Sequence, residues 1–164
     1  MLAIGIDPGT ATTGYGLVQE KDGSLTVLDY GVIQTAPELA MPERLLEIYR
    51  QLKRIILLHR PESSAVEKLF FQRNVRTALS VGQARGVILL ALAEARLPVF
   101  EYTPLEVKQA VAGYGGADKN QVQQMVRALL SLNEIPQPDD AADALAIAIC
   151  HLHSARWRTI YGEV

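Results

Sequence analysis

Residues 2–10 read Leu2-Ala3-Ile4-Gly5-Ile6-Asp7-Pro8-Gly9-Thr10, and residues 14–18 read Gly14-Tyr15-Gly16-Leu17-Val18. The apolar run Leu2 to Ile6 stops at Asp7-Pro8-Gly9. That predicts a buried strand followed by a turn, because Pro and Gly set the turn dihedrals. Gly14 and Gly16 then begin a second strand, which makes a tight hairpin. Asp7 is left at the end of a buried strand, where a carboxylate is costly unless something positive meets it. Three readings are open. Asp7 caps the turn by bonding backbone amides, as Asx residues do; it ligates a metal; or it belongs to a phosphate-binding loop.

Working outward, Leu25 to Ile33 reads as a third strand, and Asp22-Gly23 before it supports an antiparallel three-stranded meander. Pro42 opens a helix whose apolar residues Leu45, Leu46, Tyr49, Leu52, Ile55 and Ile56 share one stripe, and Pro61 ends it. Ser63 to Glu67 is a fourth strand, again ending at a carboxylate. Asn74 to Ala95 is a long helix and Pro98 to Tyr102 a fifth strand. From Thr103 the chain is helical, with breaks at 113–116 and 136–138. Asp118 and Gln121 form a capping box for the helix carrying Val122, Met125, Val126 and Leu129. The last helix is expected from about Asp139 to His153, and the tail after Trp157 is expected to be loose, with Trp157 as its packing anchor. Three antiparallel strands followed by alternating helices and strands predict an α/β fold: a mixed five-stranded sheet with helices on both faces. Sites in such sheets gather at the carboxyl ends of central strands, where Asp7 and Glu67 lie.

The chain has 164 residues, enough for one domain with a sizeable core. The domain is placed at 1–156, with 157–164 as a flexible tail. No apolar run reads as a membrane span, and no signal-peptide pattern is present, so a cytoplasmic location is the default expectation. The single cysteine, Cys150, excludes an internal disulfide and reads as a small core residue. The formal net charge of −2 argues against a nucleic-acid binder only until the charges are mapped. From Lys68 to Ala93 there is no Asp or Glu, whereas Lys68, Arg73, Arg76 and Arg85 are present, with Lys108 and Lys119 further on. Scattered basic residues are ordinarily solvated, but an acid-free stretch beside a strand-end carboxylate favours a phosphate-binding surface. His59 reads as a surface or capping residue. His151 and His153, two apart on a helix, point to different faces and do not make a metal pair.

The third acidic element is Asp139-Asp140-Ala141-Ala142-Asp143. Asp140 and Asp143 share a helix face, and Ala141, Ala142, Ala144 and Ala146 keep that turn slim enough to pack closely on a sheet. Asp139 reads as an ordinary cap. Capping does not account for Asp143 inside an Ala/Leu/Ile run. If this face meets the ends of strands one and four, Asp7, Glu67, Asp140 and Asp143 converge and would repel one another without a cation. An all-oxygen set suits Mg²⁺ or Mn²⁺, and such sites hold two ions about 3.5–4 Å apart across a phosphodiester.

These residues resemble the RuvC-type Holliday junction resolvases. The resemblance rests on Ile4-Gly5-Ile6-Asp7-Pro8-Gly9, on Ala65-Val66-Glu67-Lys68-Leu69-Phe70-Phe71 and on Asp140-Ala141-Ala142-Asp143-Ala144-Leu145. It extends to Asn74, Thr77 and Gly82-Gln83-Ala84-Arg85-Gly86, to Val107-Lys108-Gln109, and to Gly113, Gly115, Ala117, Lys119, Gln121 and Val122. It runs in the same order from about Met1 to Ser154. Lys68 stands where many relatives carry Gln. The resemblance implies a ribonuclease-H-like fold and a homodimeric endonuclease using two Mg²⁺ ions per site, with Mn²⁺ as substitute. It would nick opposed strands of four-way junction DNA, leaving 5′-phosphate and 3′-hydroxyl ends. Asp7, Glu67, Asp140 and Asp143 would be the catalytic metal ligands. Lys108 and Lys119 would lie near the scissile phosphate and Phe70 next to the crossover, while Lys68, Arg73 and Arg76 are expected to contact DNA from the acid-free stretch itself. It further implies a short T-rich cleavage preference and a branch-migration complex of the RuvA and RuvB type. The long helix is the expected dimer interface, with Leu79 outward and Gly82, Ala84 and Gly86 permitting close approach. Other readings remain: a resolvase-like nuclease acting on ribosomal RNA; an actin-like or sugar-kinase ATP-binding domain, whose first phosphate loop Asp7-Pro8-Gly9-Thr10 resembles; and a non-catalytic binding module.

Overall fold

The structure is a computed structural model and describes residues 1–68 and 74–161. Its elements in chain order are β1 (Leu2–Asp7), β2 (Thr12–Lys21), β3 (Ser24–Gln34), α1 (Met41–His59), β4 (Ser63–Glu67), α2 (Val75–Glu94), β5 (Val99–Tyr102), α3 (Pro104–Ala112), α4 (Lys119–Leu129) and α5 (Asp139–Tyr161). One sheet has the order β3-β2-β1-β4-β5. β1, β2 and β3 are antiparallel neighbours, and β4 and β5 run parallel to β1. The expected meander, mixed sheet and two helical layers are all present. At the β2–β3 turn, Asp22 and Gly23 both take positive φ, as a two-residue hairpin turn of this hand demands.

Successive side chains of a strand point to opposite faces, and the core divides accordingly. Leu2, Ile4 and Ile6 of β1, Leu17 of β2 and Val66 of β4 pack with Ile48, Leu52 and Ile56 of α1 and Ala84, Ile88, Ala91 and Leu92 of α2. Ala3, Val18 and Ala65 face the other way, onto α3, α4 and α5. Each buried Ile or Leu contributes about 1.5–3 kcal/mol, so the first layer is the bulkier anchor. Alternation therefore puts Gly5 and Asp7 of β1, and Glu67 of β4, on the α5 face.

Helix ends follow their sequence signals. Asn74 caps α2 by accepting from the amides of Arg76 and Thr77. Thr103 and Asp118 cap α3 and α4 with capping boxes, and Gly113 closes α3 in the left-handed conformation. Pro42 lies in the first turn of α1, which ends at His59 with Arg60 left-handed.

Several expectations are corrected. α5 continues to Tyr161 rather than ending near His153, since no Gly or Pro occurs between Asp139 and Tyr161. Trp157, expected as a packing anchor, is 64% exposed. Leu46, placed on the buried stripe of α1, is exposed, and Ile48 takes the inner position. His59 bonds the Asp29 carboxylate at 3.0 Å. α2 is itself long and apolar enough to cross a membrane by length and composition, against the expectation of no such run. Here one side of it is docked on the sheet. Cys150 is free and buried, and burial pushes its thiol up to about 12.

Candidate active site

β1 and β4 are in register at Ile6 and Val66, so Asp7 and Glu67 end adjacent parallel strands side by side. On the other flank Asp7 pairs with Gly14 of β2. Across these strand ends runs the first turn of α5, and small residues let it come close. A Cβ on Gly14 would stand 1.9 Å from the Asp140 carbonyl oxygen, and one on Gly5 would stand 2.2 Å from that of Ala144. A Cβ on Gly16 would meet the Leu145 side chain at 2.7 Å. Ala141, Ala142, Ala144 and Ala148 are all buried in this contact layer. The glycines of the hairpin and the alanines of α5 are thus two halves of one seam, and the seam delivers Asp140 and Asp143 to Asp7.

The oxygens of Asp7, Asp140 and Asp143 lie within 4.8 Å of one another. Glu67 stands beside them, close enough for its carboxylate to accept a hydrogen bond from Asp7. The electrostatic cost is visible in the acids themselves. Burial pushes Asp7 up to about 8, and the negative charges of Glu67, Asp143 and Asp140 add to the shift while Lys119 opposes it. Glu67 is raised by burial and then by Asp143, against the Asp7 hydrogen bond and Lys108. Asp143 is raised by burial, with Lys119 opposing and Asp140 and Asp139 adding. Four acids without His or Cys form the hard-oxygen donor set that suits Mg²⁺ or Mn²⁺, and a divalent charge relieves the repulsion that raises them.

Next to the acids lies a cleft of about 230 Å³ lined by Glu67, Asp143, Lys108, Lys119, Pro104 and Val122 among others. Lys119, in the first turn of α4, is held by an ion pair to Asp139 at 2.9 Å. That bond is the leading cause of its raised pKa, ahead of Asp143 and Asp140. Asp139 also accepts from Gln123 at 3.0 Å. The residue expected only to cap α5 therefore positions a lysine, a role invisible in spacing because its partners are on α4.

The remaining expected residues divide. Lys68, next in sequence to Glu67, and Arg76, in the first turn of α2, are exposed. Phe70 and Arg73, with Phe71, lie outside the described residues. Arg85, counted with the basic stretch, is not free: its Nη2 bonds Glu101 at 2.5 Å and its Nε donates to the Glu67 carbonyl at 3.4 Å. On α2, Val75, Leu79 and Leu90 form an exposed apolar stripe, and a Cβ on Gly86 would meet nothing within 4 Å. Ala84 points the other way, fully buried in the core, so it permits no approach by a partner. Two ties were missed altogether. The Thr10 hydroxyl donates to the Ser80 carbonyl at 2.9 Å and lies 2.6 Å from the Ser80 hydroxyl. Deeper in the molecule His151, neutral and pushed down to about 4 by burial, bridges Tyr102 at 3.0 Å and Ser63 at 2.9 Å. His153 points elsewhere, to the Ala110 carbonyl, so the two histidines diverge as expected.

A mixed five-stranded sheet with an acidic cluster at the ends of β1 and β4 defines a ribonuclease-H-like protein of the resolvase class. Solved structures agree: the chain matches a Thermus thermophilus RuvC in complex with Holliday junction substrate at TM-score 0.92 and 42% identity, covering 97% of each chain. The yeast mitochondrial Holliday junction resolvase shares the fold at TM-score 0.72 and 14% identity, with 97% and 80% covered. The family model for the crossover junction endodeoxyribonuclease RuvC matches residues 3–151. The crossover junction endodeoxyribonuclease RuvC of Desulfitobacterium hafniense is 63% identical over 154 residues, 94% of this chain and 93% of the relative. That of Roseiflexus is 60% identical over 152 residues, 93% and 90% of the two chains. The chain belongs to the RuvC family.

Proposed function

We propose that this protein is a cytoplasmic, metal-dependent endonuclease that resolves four-way DNA junctions in recombination and repair, as a homodimer making two symmetric nicks. The observation that carries the reading is the convergence of Asp7, Asp140 and Asp143, with Glu67 beside them, at the mouth of a cleft that also holds two lysines. Family membership selects junction DNA over ribosomal RNA or ATP, and a complete acid set argues against a purely binding role.

In this reading Asp7, Glu67, Asp140 and Asp143 would hold two Mg²⁺ ions, which when bound would supply Lewis-acid activation of a water and charge stabilisation at the leaving 3′-oxygen. Burial and the neighbouring carboxylates push Asp7 up to about 8, so binding a cation there would release a proton. Lys119, aimed by Asp139, and Lys108 face the cleft from its other wall and would neutralise the phosphate. Lys68, just past the end of β4, and Arg76, in the first turn of α2, would add to the basic surface, with Phe70 and Arg73 assigned to DNA from sequence alone. The exposed Val75, Leu79 and Leu90 stripe, with Gly82 and Gly86, would meet a second copy across a two-fold axis that matches the two-fold substrate. A branch-migration complex of the RuvA and RuvB type is the expected partner.

The test is incubation with four-way junction and linear duplex, with Mg²⁺, Mn²⁺, Ca²⁺ or chelator. The expected outcome is paired 5′-phosphate nicks in the junction with Mg²⁺ or Mn²⁺, binding without cutting in Ca²⁺, and nothing in the duplex. Equal cutting of both substrates, or cutting in chelator, contradicts the proposal.

A further inference from the structure

The helix α2 does more than cover the sheet. Its inner residues Ile88, Ala91 and Leu92 are fixed in the core, whereas Ala78 is the one buried residue of its first two turns. The N-terminal half of α2 is tied down by polar groups, one tie ending on the turn that follows β1 and the other on the last residue of β4. Thr10, three residues past Asp7, holds Ser80 through both its carbonyl and its hydroxyl. Arg85 reaches the carbonyl of Glu67 itself and is braced by Glu101 of β5. The turn between is stiff on its other sides. Thr13 bonds both the amide and the carbonyl of Gly9, and Thr35, held by Arg44, donates to the Thr10 carbonyl. The amide after Glu67 donates to Tyr102 at 2.8 Å. The ends of β1 and β4 are therefore each fastened to α2, one through Ser80 and one through Arg85.

We propose that Thr10, Ser80 and Arg85 are positioning residues that set the spacing of Asp7 against Glu67 by clamping both strand ends to α2. None of the three presents a group to the cleft, so each acts through the acid it holds. Outer groups that orient metal ligands commonly change metal affinity by about 10–100-fold when removed. The inference rests on the nuclease reading for its consequence in cutting, but not for its consequence in metal binding.

The experiment is calorimetric titration of Mn²⁺ into the full chain and into Thr10→Val and Arg85→Met, with junction binding, single-turnover cleavage and melting followed in parallel. Each variant should need about tenfold more Mn²⁺ for half-saturation. Cleavage at fixed low Mn²⁺ should slow, recover at high Mn²⁺, and leave the junction Kd unchanged. Thr10→Ser, which keeps the hydroxyl, should bind Mn²⁺ as the parent does. If Thr10→Val does not fold, Ser80→Ala removes the hydroxyl pair alone and should raise the requirement by about threefold. Variants that melt earlier yet bind Mn²⁺ like the parent overturn the clamp and leave a purely structural role. A parent that binds Mn²⁺ but cuts no junction overturns the nuclease reading instead, and the metal affinities of the variants still decide the clamp.

Discussion

Beneath α5 the sheet offers Gly5, Gly14 and Gly16, and beneath α1 and α2 it offers Leu2, Ile4, Ile6 and Leu17. The first contact is backbone against backbone with no room for one methyl group. The second is a layer of large side chains filling rotamer wells, which can repack when volume is conserved. The difference matches what each face carries. α5 brings Asp140 and Asp143 to Asp7, where placement decides the chemistry. α2 brings no acid to the site and keeps an apolar stripe outward.

The sharpest way to break the contrast is one methyl group on each side. Gly14→Ala drives a Cβ into the Asp140 carbonyl, so α5 must shift. We expect a loss of about 3 kcal/mol by denaturant melting and at least about a hundredfold loss of junction cleavage. Gly86→Ala meets open space, and at a helix-interior position it should raise monomer stability by about 0.5–1 kcal/mol. Equal effects from the two would dissolve the distinction.

The next effect is in pH. Folded Asp7 keeps its proton to about 8, whereas the unfolded chain loses it near 3.8, so the folded state binds more protons between those values. Metal-free stability should therefore be full below about pH 4 and fall as pH rises through 8; Glu67 and Asp143, shifted the same way, steepen the fall. His151 has the opposite sign. Its folded pKa lies near 4, so its contribution is complete above 6.5 and is lost as pH falls through 4. Melting curves against pH should show the loss between about pH 4 and 8 abolished by Mg²⁺, and the His151 loss as pH falls from 6.5 to 4 indifferent to it. A loss toward pH 8 that ignores Mg²⁺ would separate the acids from any cation.

Smaller in stability, though not in assembly, is Leu79→Asp on the outward stripe, where the parent side chain is 64% exposed. Folding should change by no more than about 0.5 kcal/mol. Light scattering should report monomers, and paired nicking should give way to single nicks. A dimer that survives this charge does not use the stripe. Smallest of all is Asp139→Asn, which removes the ion pair to an exposed Lys119. Melting should not move, and cleavage should slow without loss of junction affinity.

The same contrast governs how much could be read in advance. The strand-end acids, the glycines of the hairpin and the slim alanine turn of α5 are local patterns, and they sufficed for the antiparallel meander, the mixed sheet and the convergence of Asp7, Asp140 and Asp143 with Glu67. The end of α5 was placed too early, at His153, although nothing after Asp139 breaks a helix before Gly162. What escaped depends on partners distant in sequence. Asp139 and Lys119 sit on different helices, His151 reaches Ser63 across 88 positions, and Thr10 reaches Ser80 across 70. Arg85 looked like a free cation because Glu101, on the neighbouring strand, lies beyond any helical spacing. On α2, periodicity marked two apolar faces but assigned Ala84 to the wrong one.

The central claim is that the carboxylates at the ends of β1, β4 and α5 form a single cation site that cuts junction DNA. Mn²⁺ titration by calorimetry, paired with junction binding and cleavage, tests it in the parent and in Asp7→Asn. The account predicts saturable Mn²⁺ binding with proton release in the parent. In the variant it predicts that binding is lost and cleavage abolished, with the junction held as tightly as before. An Asp7→Asn protein that binds Mn²⁺ with parental affinity, or still nicks the junction, would contradict it.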